Sequence, residues 1–255
     1  MTTADSPPSS ALSKVPQVTA AFWALKVLAT TLGETGGDAV SMSMDLGYLA
    51  GTGIFAVLFA LAVSAQIRAR RFHPLLYWTT IVASTTVGTT LADFATRSLG
   101  IGYTGGTALL SALLLTSLWA WHRSQGSIAV ESVAGPRAEA YYWLTIMFSQ
   151  TLGTALGDWA ADTAGLGYLG GIGAFALALG AVAVLYWWTQ LSRTLLFWAA
   201  FVLTRPFGAV VGDFLDKPLA SGGLELSRYA ASAVLAALIL AGVLLLPQRA
   251  AQRAH

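Results

Sequence analysis

Cysteine is absent from the 255 residues, and charge and histidine are scarce. Without cysteine there are no disulfides, no thiolate metal site and no cysteine nucleophile. The three histidines are His73 and His122, in connections, and His255 in the tail. That argues against a histidine-built zinc or copper centre and against a Ser-His-Asp triad. Charged residues make up 10% of the chain, against roughly 25% in a soluble globular protein. Such a chain has little surface to present to water, and its mean hydropathy of +0.66 agrees. It reads as an integral membrane protein whose first partner is the lipid bilayer. A net charge of +2, confined to loops, is too small for nucleic-acid binding. There is no nucleophile–base pair, no phosphate loop and no H-E-x-x-H motif, so the sequence does not read as an enzyme. No covalent cofactor is expected.

What is present is repetition. Four segments align without gaps: WALKVLATTLGETGGD (Trp23 to Asp38), WTTIVASTTVGTTLAD (Trp78 to Asp93), WLTIMFSQTLGTALGD (Trp143 to Asp158) and WAAFVLTRPFGAVVGD (Trp198 to Asp213). Each has Trp, a Gly ten residues later (Gly33, Gly88, Gly153, Gly208) and an Asp five further on. Ten residues past the Asp come Tyr48, Tyr103 and Tyr168, each preceded by Gly; the fourth copy has Gly223 there, beside a charged run with Glu225 and Arg228. The Asp-to-Asp spacings of 55, 65 and 55 residues suggest two halves that were themselves duplicated, with the polar segment His122–Ala140 between them.

Each copy has room for two spans of about 20 apolar residues. The expected fold is all-α, with eight transmembrane helices at approximately 19–40, 48–66, 75–95, 103–121, 140–160, 168–188, 194–215 and 227–246. Each copy forms a helical hairpin (repeats about 19–66, 75–121, 140–188 and 194–246), because the ten-residue alternation of a membrane strand is missing. Residues 1–17 (MTTADSPPSSALSKVPQ) read as a disordered cytoplasmic tail, 18–247 as one transmembrane domain and 248–255 as a second cytoplasmic tail. The apolar stretch after Lys14 carries the recurring motif, so it reads as mature chain and not as a cleaved leader. Nine basic residues lie between copies or in the tails and three (Arg97, Lys217, Arg228) within copies, which places both termini in the cytoplasm. All four copies then point the same way, as parallel repeats with pseudo-fourfold symmetry about the membrane normal.

Helical spacing puts the polar residues on one stripe of each odd-numbered helix. Lys26, Thr30, Glu34 and Asp38 step by four along the first; Thr85, Thr89 and Asp93 repeat this in the third, Gln150, Thr154 and Asp158 in the fifth, and Arg205, Ala209 and Asp213 in the seventh. Fifteen residues at about 1.5 Å each set the Asp roughly 22 Å deeper than the interfacial Trp, beyond the midplane. An ionisable group at the bilayer centre costs about 2.5–3.5 kcal/mol on insertion scales, so these acids need a protein-lined or watery environment.

Two readings of the stripe compete. Glycines at Gly33/Gly37, Gly88/Ala92, Gly153/Gly157 and Gly208/Gly212 let helices pack closely, and the Asp residues can then serve only as helix caps or backbone partners. Taken together, however, Asp38, Asp93, Asp158 and Asp213, with Glu34 as the next ligand towards the cytoplasm and the hydroxyls of Thr30, Thr85, Thr89 and Thr154, form an all-oxygen lining suited to hard cations. Gln150 lies on the same stripe. Lys26 and Arg205 break the fourfold pattern: Lys26 can snorkel, while Arg205, followed by Pro206, can kink the seventh helix and neutralise one or two carboxylates when no ion is bound.

The sequence resembles a bacterial membrane-protein family with four tandem copies of a repeat of unknown function, each with two transmembrane regions and a characteristic tryptophan. Residues 20–246 carry the resemblance, most recognisably KVLATTLGETGGD (Lys26–Asp38), and Trp23, Trp78, Trp143 and Trp198 match the repeat's tryptophan. The resemblance implies the topology and a multi-pass inner-membrane location, and no activity.

The expected function is transport of a hard divalent cation, Mn²⁺ or Mg²⁺ ahead of softer metals, with the metal ion as substrate at Asp38, Asp93, Asp158 and Asp213. Bunched carboxylates share protons, so coupling to proton uptake follows. The rivals are a cation channel with an Asp-ring filter and a non-transporting membrane scaffold or sensor. Direction, coupling and oligomeric state stay open.

Overall fold

The computed structural model describes residues 13–251. It contains eight long helices: α1 (Ala20–Asp38), α2 (Gly47–Arg68), α3 (Pro74–Asp93), α4 (Gly102–Gln125), α5 (Pro136–Asp158), α6 (Gly167–Trp188), α7 (Arg193–Asp216) and α8 (Arg228–Leu245). Among the described residues the only strand-like pairing is a single antiparallel bridge between Pro16 and Ala250. Local chemistry sets the starts. Pro74 and Pro136 stand in the first turn of α3 and α5, where a fixed φ helps and a missing N–H costs nothing. The side chains of Thr19, Ser192 and Ser227 accept from the backbone N–H of Phe22, Leu195 and Ala230, capping α1, α7 and α8.

The ends of the odd helices are where the copies part company. In the first three, a π-helical turn follows the motif Asp directly, over Ala39–Ser43, Phe94–Ser98 and Trp159–Thr163. The chain then reverses at Gly47, Gly102 and Gly167, all at positive φ, which explains why a glycine precedes each motif tyrosine. In the fourth copy α7 runs on to Asp216 without a π turn.

The odd helices close a ring in which α1 packs on α3 and α7, and α5 packs on the same two. The even helices lie outside it. Here the hairpin expectation needs correcting: α2 packs chiefly on α3, α4 on α5, α6 on α7 and α8 on α1, so each even helix covers the odd helix of the following copy. The contacts that fix this are small. Gly51 of α2 abuts Thr90 of α3, Gly171 of α6 abuts Val210 of α7, and Gly242 of α8 abuts Leu25 of α1. The outer faces are apolar, with Leu49, Val57, Leu61, Leu177 and Leu245 exposed. Five helices, α2, α4, α6, α7 and α8, are long and apolar enough to cross a membrane.

Residues 13–17 depart from the disordered tail expected there; residues 1–12 and 252–255 lie outside the described part. Lys14 is buried, with Nζ 3.0 and 2.7 Å from the carbonyls of Gln66 and Ala69 at the end of α2 and 2.6 Å from Glu139 Oε1. Gln17 donates to the Arg249 carbonyl, and Ala251 donates to that of Val15, each at 2.8 Å. Residues 15–17 and 249–251 therefore pair with each other, a long-range contact that composition does not report.

The ring depends on glycines at the helix contacts. A Cβ on Gly88 would stand 2.8 Å from Gln150 Cβ and 2.9 Å from the Gln150 carbonyl carbon, so the helices would have to part. Gly180, on the outer helix α6, has open space around it. Gly88→Ala is expected to lose about 1–3 kcal/mol, whereas Gly180→Ala should be neutral or gain about 0.5–1 kcal/mol. Thermal unfolding of the two purified variants checks the contrast.

Candidate cation site

The repeated glycines act as seats. Thr85 of α3 lies against Gly33 of α1, Gln150 of α5 against Gly88 of α3, Arg205 of α7 against Gly153 of α5, and Thr30 of α1 against Gly208 of α7. These four side chains occupy one motif position, so the same contact recurs around the whole ring. One turn further along, Thr89 sits on Gly37 and Glu34 on Gly212. Several hydroxyls are spent on closing the ring: Thr30 Oγ1 donates to the Thr204 carbonyl at 3.2 Å, Thr85 Oγ1 to that of Ala29 at 3.1 Å and Thr89 Oγ1 to that of Gly33 at 3.0 Å.

Arg205 occupies the middle of the ring and is fully buried. Its Nη2 lies 3.0 Å from Glu34 Oε2, donates to Thr89 Oγ1 at 2.6 Å and also reaches Thr154 Oγ1; Nη1 donates to the Thr30 carbonyl at 3.5 Å. One guanidinium thus joins all four odd helices. Glu34 supplies the charge this burial demands, since an unpaired ion in a low-dielectric interior costs several kcal/mol.

The four motif aspartates form the next layer, between 0 and 3% exposed. They do not share one site among themselves. Arg97 joins Asp93 and Asp158, at 2.9 and 3.4 Å, and Lys217 joins Asp213 at 3.1 Å to Asp38. Beyond them Arg228 Nε lies 2.8 Å from Asp216 and 4.0 Å from Asp38 Oδ2. Burial disfavours the Lys217 charge, but the carboxylates of Asp213 and Asp38 outweigh it and raise its pKa, so the ammonium persists. The expected single four-carboxylate site is in this way divided in two by cations from the outer connections. Among the described residues, the carboxylates within ligand distance of one another are those of Glu34, Asp38 and Asp213, with one oxygen from each inside 4.8 Å. Asp38 Oδ1 is buried without a hydrogen-bond partner. Such a group can hold a cation through oxygen alone.

Below Arg205 the interior turns apolar. Lys26 Nζ has no hydrogen-bond partner and lies 4.1 Å from the centre of the Phe201 ring, so it does not snorkel to an edge. Phe22, Tyr77, Tyr142 and Phe197, again one motif position, are buried beneath it, with the Tyr77 and Tyr142 hydroxyls 2.6 Å apart. Gln150 Nε2 makes a long 3.4 Å contact with Ser84, while its Oε1 and Ser149 Oγ have no partner.

Of the residues the sequence proposes, Glu34, Asp38, Asp213 and Arg205, with Thr30, Thr89 and Thr154, therefore converge. Asp93 and Asp158 sit with Arg97, and Lys26 stands apart. The sequence reading misses Arg97 and Lys217, counted only as connection charges. A signal existed: each follows a motif Asp by four residues, where Met42 and Asp162 stand in the other two copies.

The chain belongs to the family defined by the Repeat of Unknown Function (DUF347), whose model matches four times, over residues 21–72, 76–127, 141–192 and 196–250. Neither the curated proteins nor the solved structures yield a match to it.

The Arg205–Glu34 pair supports a direct test. Arg205→Met strands a buried carboxylate and is expected to destabilise by about 3–5 kcal/mol. Adding Glu34→Gln to that variant should recover part of the loss. Thermal unfolding of the two single variants and the double variant measures the coupling.

Proposed function

We propose that this member of the repeat family is a transporter of a hard divalent cation, with Mn²⁺ and Mg²⁺ ahead of softer metals. The observation that carries the reading is the buried Glu34–Asp38–Asp213 group with an unpartnered oxygen on Asp38. Charge supports it. Six carboxylates (Glu34, Asp38, Asp93, Asp158, Asp213, Asp216) are ion-paired with four basic groups (Arg97, Arg205, Lys217, Arg228); with all of these and the buried Lys26 ionised, negative charge is still in excess, and a bound cation would offset it. The donors are oxygens, which suit Mg²⁺ and Mn²⁺. Because bunched carboxylates share protons, metal release coupled to proton uptake belongs to the same reading.

In this reading all eight helices span a bacterial inner membrane with pseudo-fourfold symmetry, and both termini are cytoplasmic. The polar helices α1, α3 and α5 would cross as the inner ring, shielded from lipid by the even helices. The distribution of basic residues favours that orientation. A carrier is favoured over a channel because Arg205 and the layer of Phe22, Tyr77, Tyr142 and Phe197 leave the ring filled with side chains. A purely structural scaffold would gain nothing from a buried three-carboxylate group that lacks a full set of partners.

Thermal-shift measurements of the purified protein against Mn²⁺, Mg²⁺, Ca²⁺, Zn²⁺, Na⁺ and K⁺ test the reading, since a ligand of the native state raises the melting temperature by mass action. Mn²⁺ or Mg²⁺ should stabilise the wild type. Glu34→Gln, Asp38→Asn and Asp213→Asn should each abolish most of the shift, and Asp158→Asn should keep it. Saturable uptake into proteoliposomes should follow the same order. No shift with any ion, and no flux, would reject transport in favour of a scaffold.

A further inference from the structure

We propose that Lys217 is a tethered occupant of the Glu34–Asp38–Asp213 group, displaced by the incoming cation, whereas Arg97 is a permanent clamp on Asp93 and Asp158. The inference rests on the cation reading of that site and assigns it a built-in competitor and a side of entry.

The two basic residues hold equivalent positions, four residues after the motif Asp of the second and fourth copies, and each joins the Asp of its own helix to that of the next odd helix around the ring. Their settings differ. Arg97 lies in the π turn after α3 and uses two nitrogens, Nε on Asp93 and Nη2 on Asp158, with its guanidinium carbon 6.0 and 5.8 Å from the rings of Tyr48 and Tyr103. A planar fork held at two points and flanked by rings is fixed by its own shape. Lys217 presents a single ammonium on a flexible four-carbon stem. Its ion pairs are with Asp38 and Asp213, and among the described residues no aromatic ring makes a cation–π contact with it.

The backbone beneath Lys217 is secured, so the side chain can leave without unfolding the loop. Leu224 donates to the Phe214 carbonyl at 2.7 Å, Glu225 to that of Lys217 at 2.9 Å and Leu226 to that of Leu215 at 2.9 Å. Gly223, standing where the other copies have Tyr, lies so close to the Lys217 carbonyl that no side chain fits there. The divergence of the fourth copy thus builds a loop that delivers this ammonium. It delivers it to the half of the aspartate layer that also has Glu34 and the unpartnered Asp38 Oδ1. A divalent ion bound to those oxygens at about 2.0–2.6 Å would meet the Lys217 ammonium on the same carboxylates, and like charges exclude one another. Entry is therefore from the Lys217 loop, where the exposed carboxylate of Glu225, which accepts one long 3.4 Å hydrogen bond from the Leu219 N–H, would receive the released ammonium.

The chain has three lysines, Lys14, Lys26 and Lys217, which makes displacement directly readable in the wild type. The full-length protein in detergent is treated with an amine-acylating reagent with and without saturating Mn²⁺, and each lysine is quantified by mass spectrometry. Labelling of Lys217 should rise at least about threefold with Mn²⁺, with Lys14 and Lys26 unchanged. In parallel, Mn²⁺ titrations of Lys217→Gln should give a Kd about tenfold tighter than wild type, or about 1.4 kcal/mol, while Arg97→Gln stays within about twofold. Wild type that binds Mn²⁺ with no rise in Lys217 labelling overturns the inference and leaves the cation reading standing. So does a Lys217→Gln variant that folds and binds no tighter, or an Arg97→Gln variant that tightens equally. Absence of Mn²⁺ and Mg²⁺ binding by both wild type and Lys217→Gln overturns the cation reading itself.

Discussion

Glycine seats are the constraint on which the interior depends. At Gly33, Gly88, Gly153 and Gly208 an odd helix offers bare backbone, and the neighbouring helix lays a polar side chain on it. Close approach of this kind leaves no room for a lipid chain or a hydrophobic filler between the helices. It also fixes which groups must meet. Once Arg205 rests on Gly153, its guanidinium reaches the centre of the ring, and Glu34, seated on Gly212, becomes the carboxylate it finds there. The ion pair follows from backbone proximity, and its burial ties the four odd helices into one electrostatic unit.

Repetition builds the scaffold, and departures from repetition carry the chemistry. Four identical copies would set equal charges around the ring, and like charges in a low-dielectric interior repel. Besides Lys26, whose counterparts are apolar, three motif positions around the acids break the identity: Thr30, Thr85, Gln150 and Arg205 at one level, Glu34, Thr89, Thr154 and Ala209 at the next, and Met42, Arg97, Asp162 and Lys217 beyond the aspartates. The last set places a cation in the second and fourth copies only. That alternation divides the aspartates into two pairs, in keeping with a chain whose halves were themselves duplicated.

The eight helices were legible because hydropathy and period act locally: α6 begins at Gly167 and ends at Trp188, one residue from the expected start and none from the expected end. The inward stripe was legible for the same reason. Choice of neighbour was not. Nothing in the composition of α2 says that it covers α3 and not α1; Gly51 meeting Thr90 decides it, and that complementarity appears only when both helices are in place. Residues 13–17 looked like solvent-exposed tail because their partners, Gln66, Ala69, Glu139, Arg249 and Ala251, all stand far away along the chain. Arg97 and Lys217 were overlooked for a different reason. Positions just past a span are ordinarily solvated, and here the π turn in one copy and the prolonged helix in another bring them back over the aspartates.

The two ends of the ring are closed by different physics, and this bears on how a cation carrier of this design would work. Towards the chain termini the closure is aromatic. Phe22 and Trp78 pack with ring centres 5.6 Å apart, Tyr77 and Trp143 at 5.7 Å, and the Tyr77–Tyr142 hydrogen bond spans two helices. Dispersion and shape hold such a layer, and an ion offers it nothing in exchange, so opening it requires the helices themselves to move. At the other end the closure is ionic, and in such a carrier an arriving cation would take the place of an ammonium on the same carboxylates. Binding at that end would then change the field on Glu34, which is held by Arg205, and Arg205 touches every helix that carries the aromatic layer. The Glu34–Arg205 pair is therefore the element through which occupancy at one end could bias helix packing at the other, and a carrier needs that link where a pore does not.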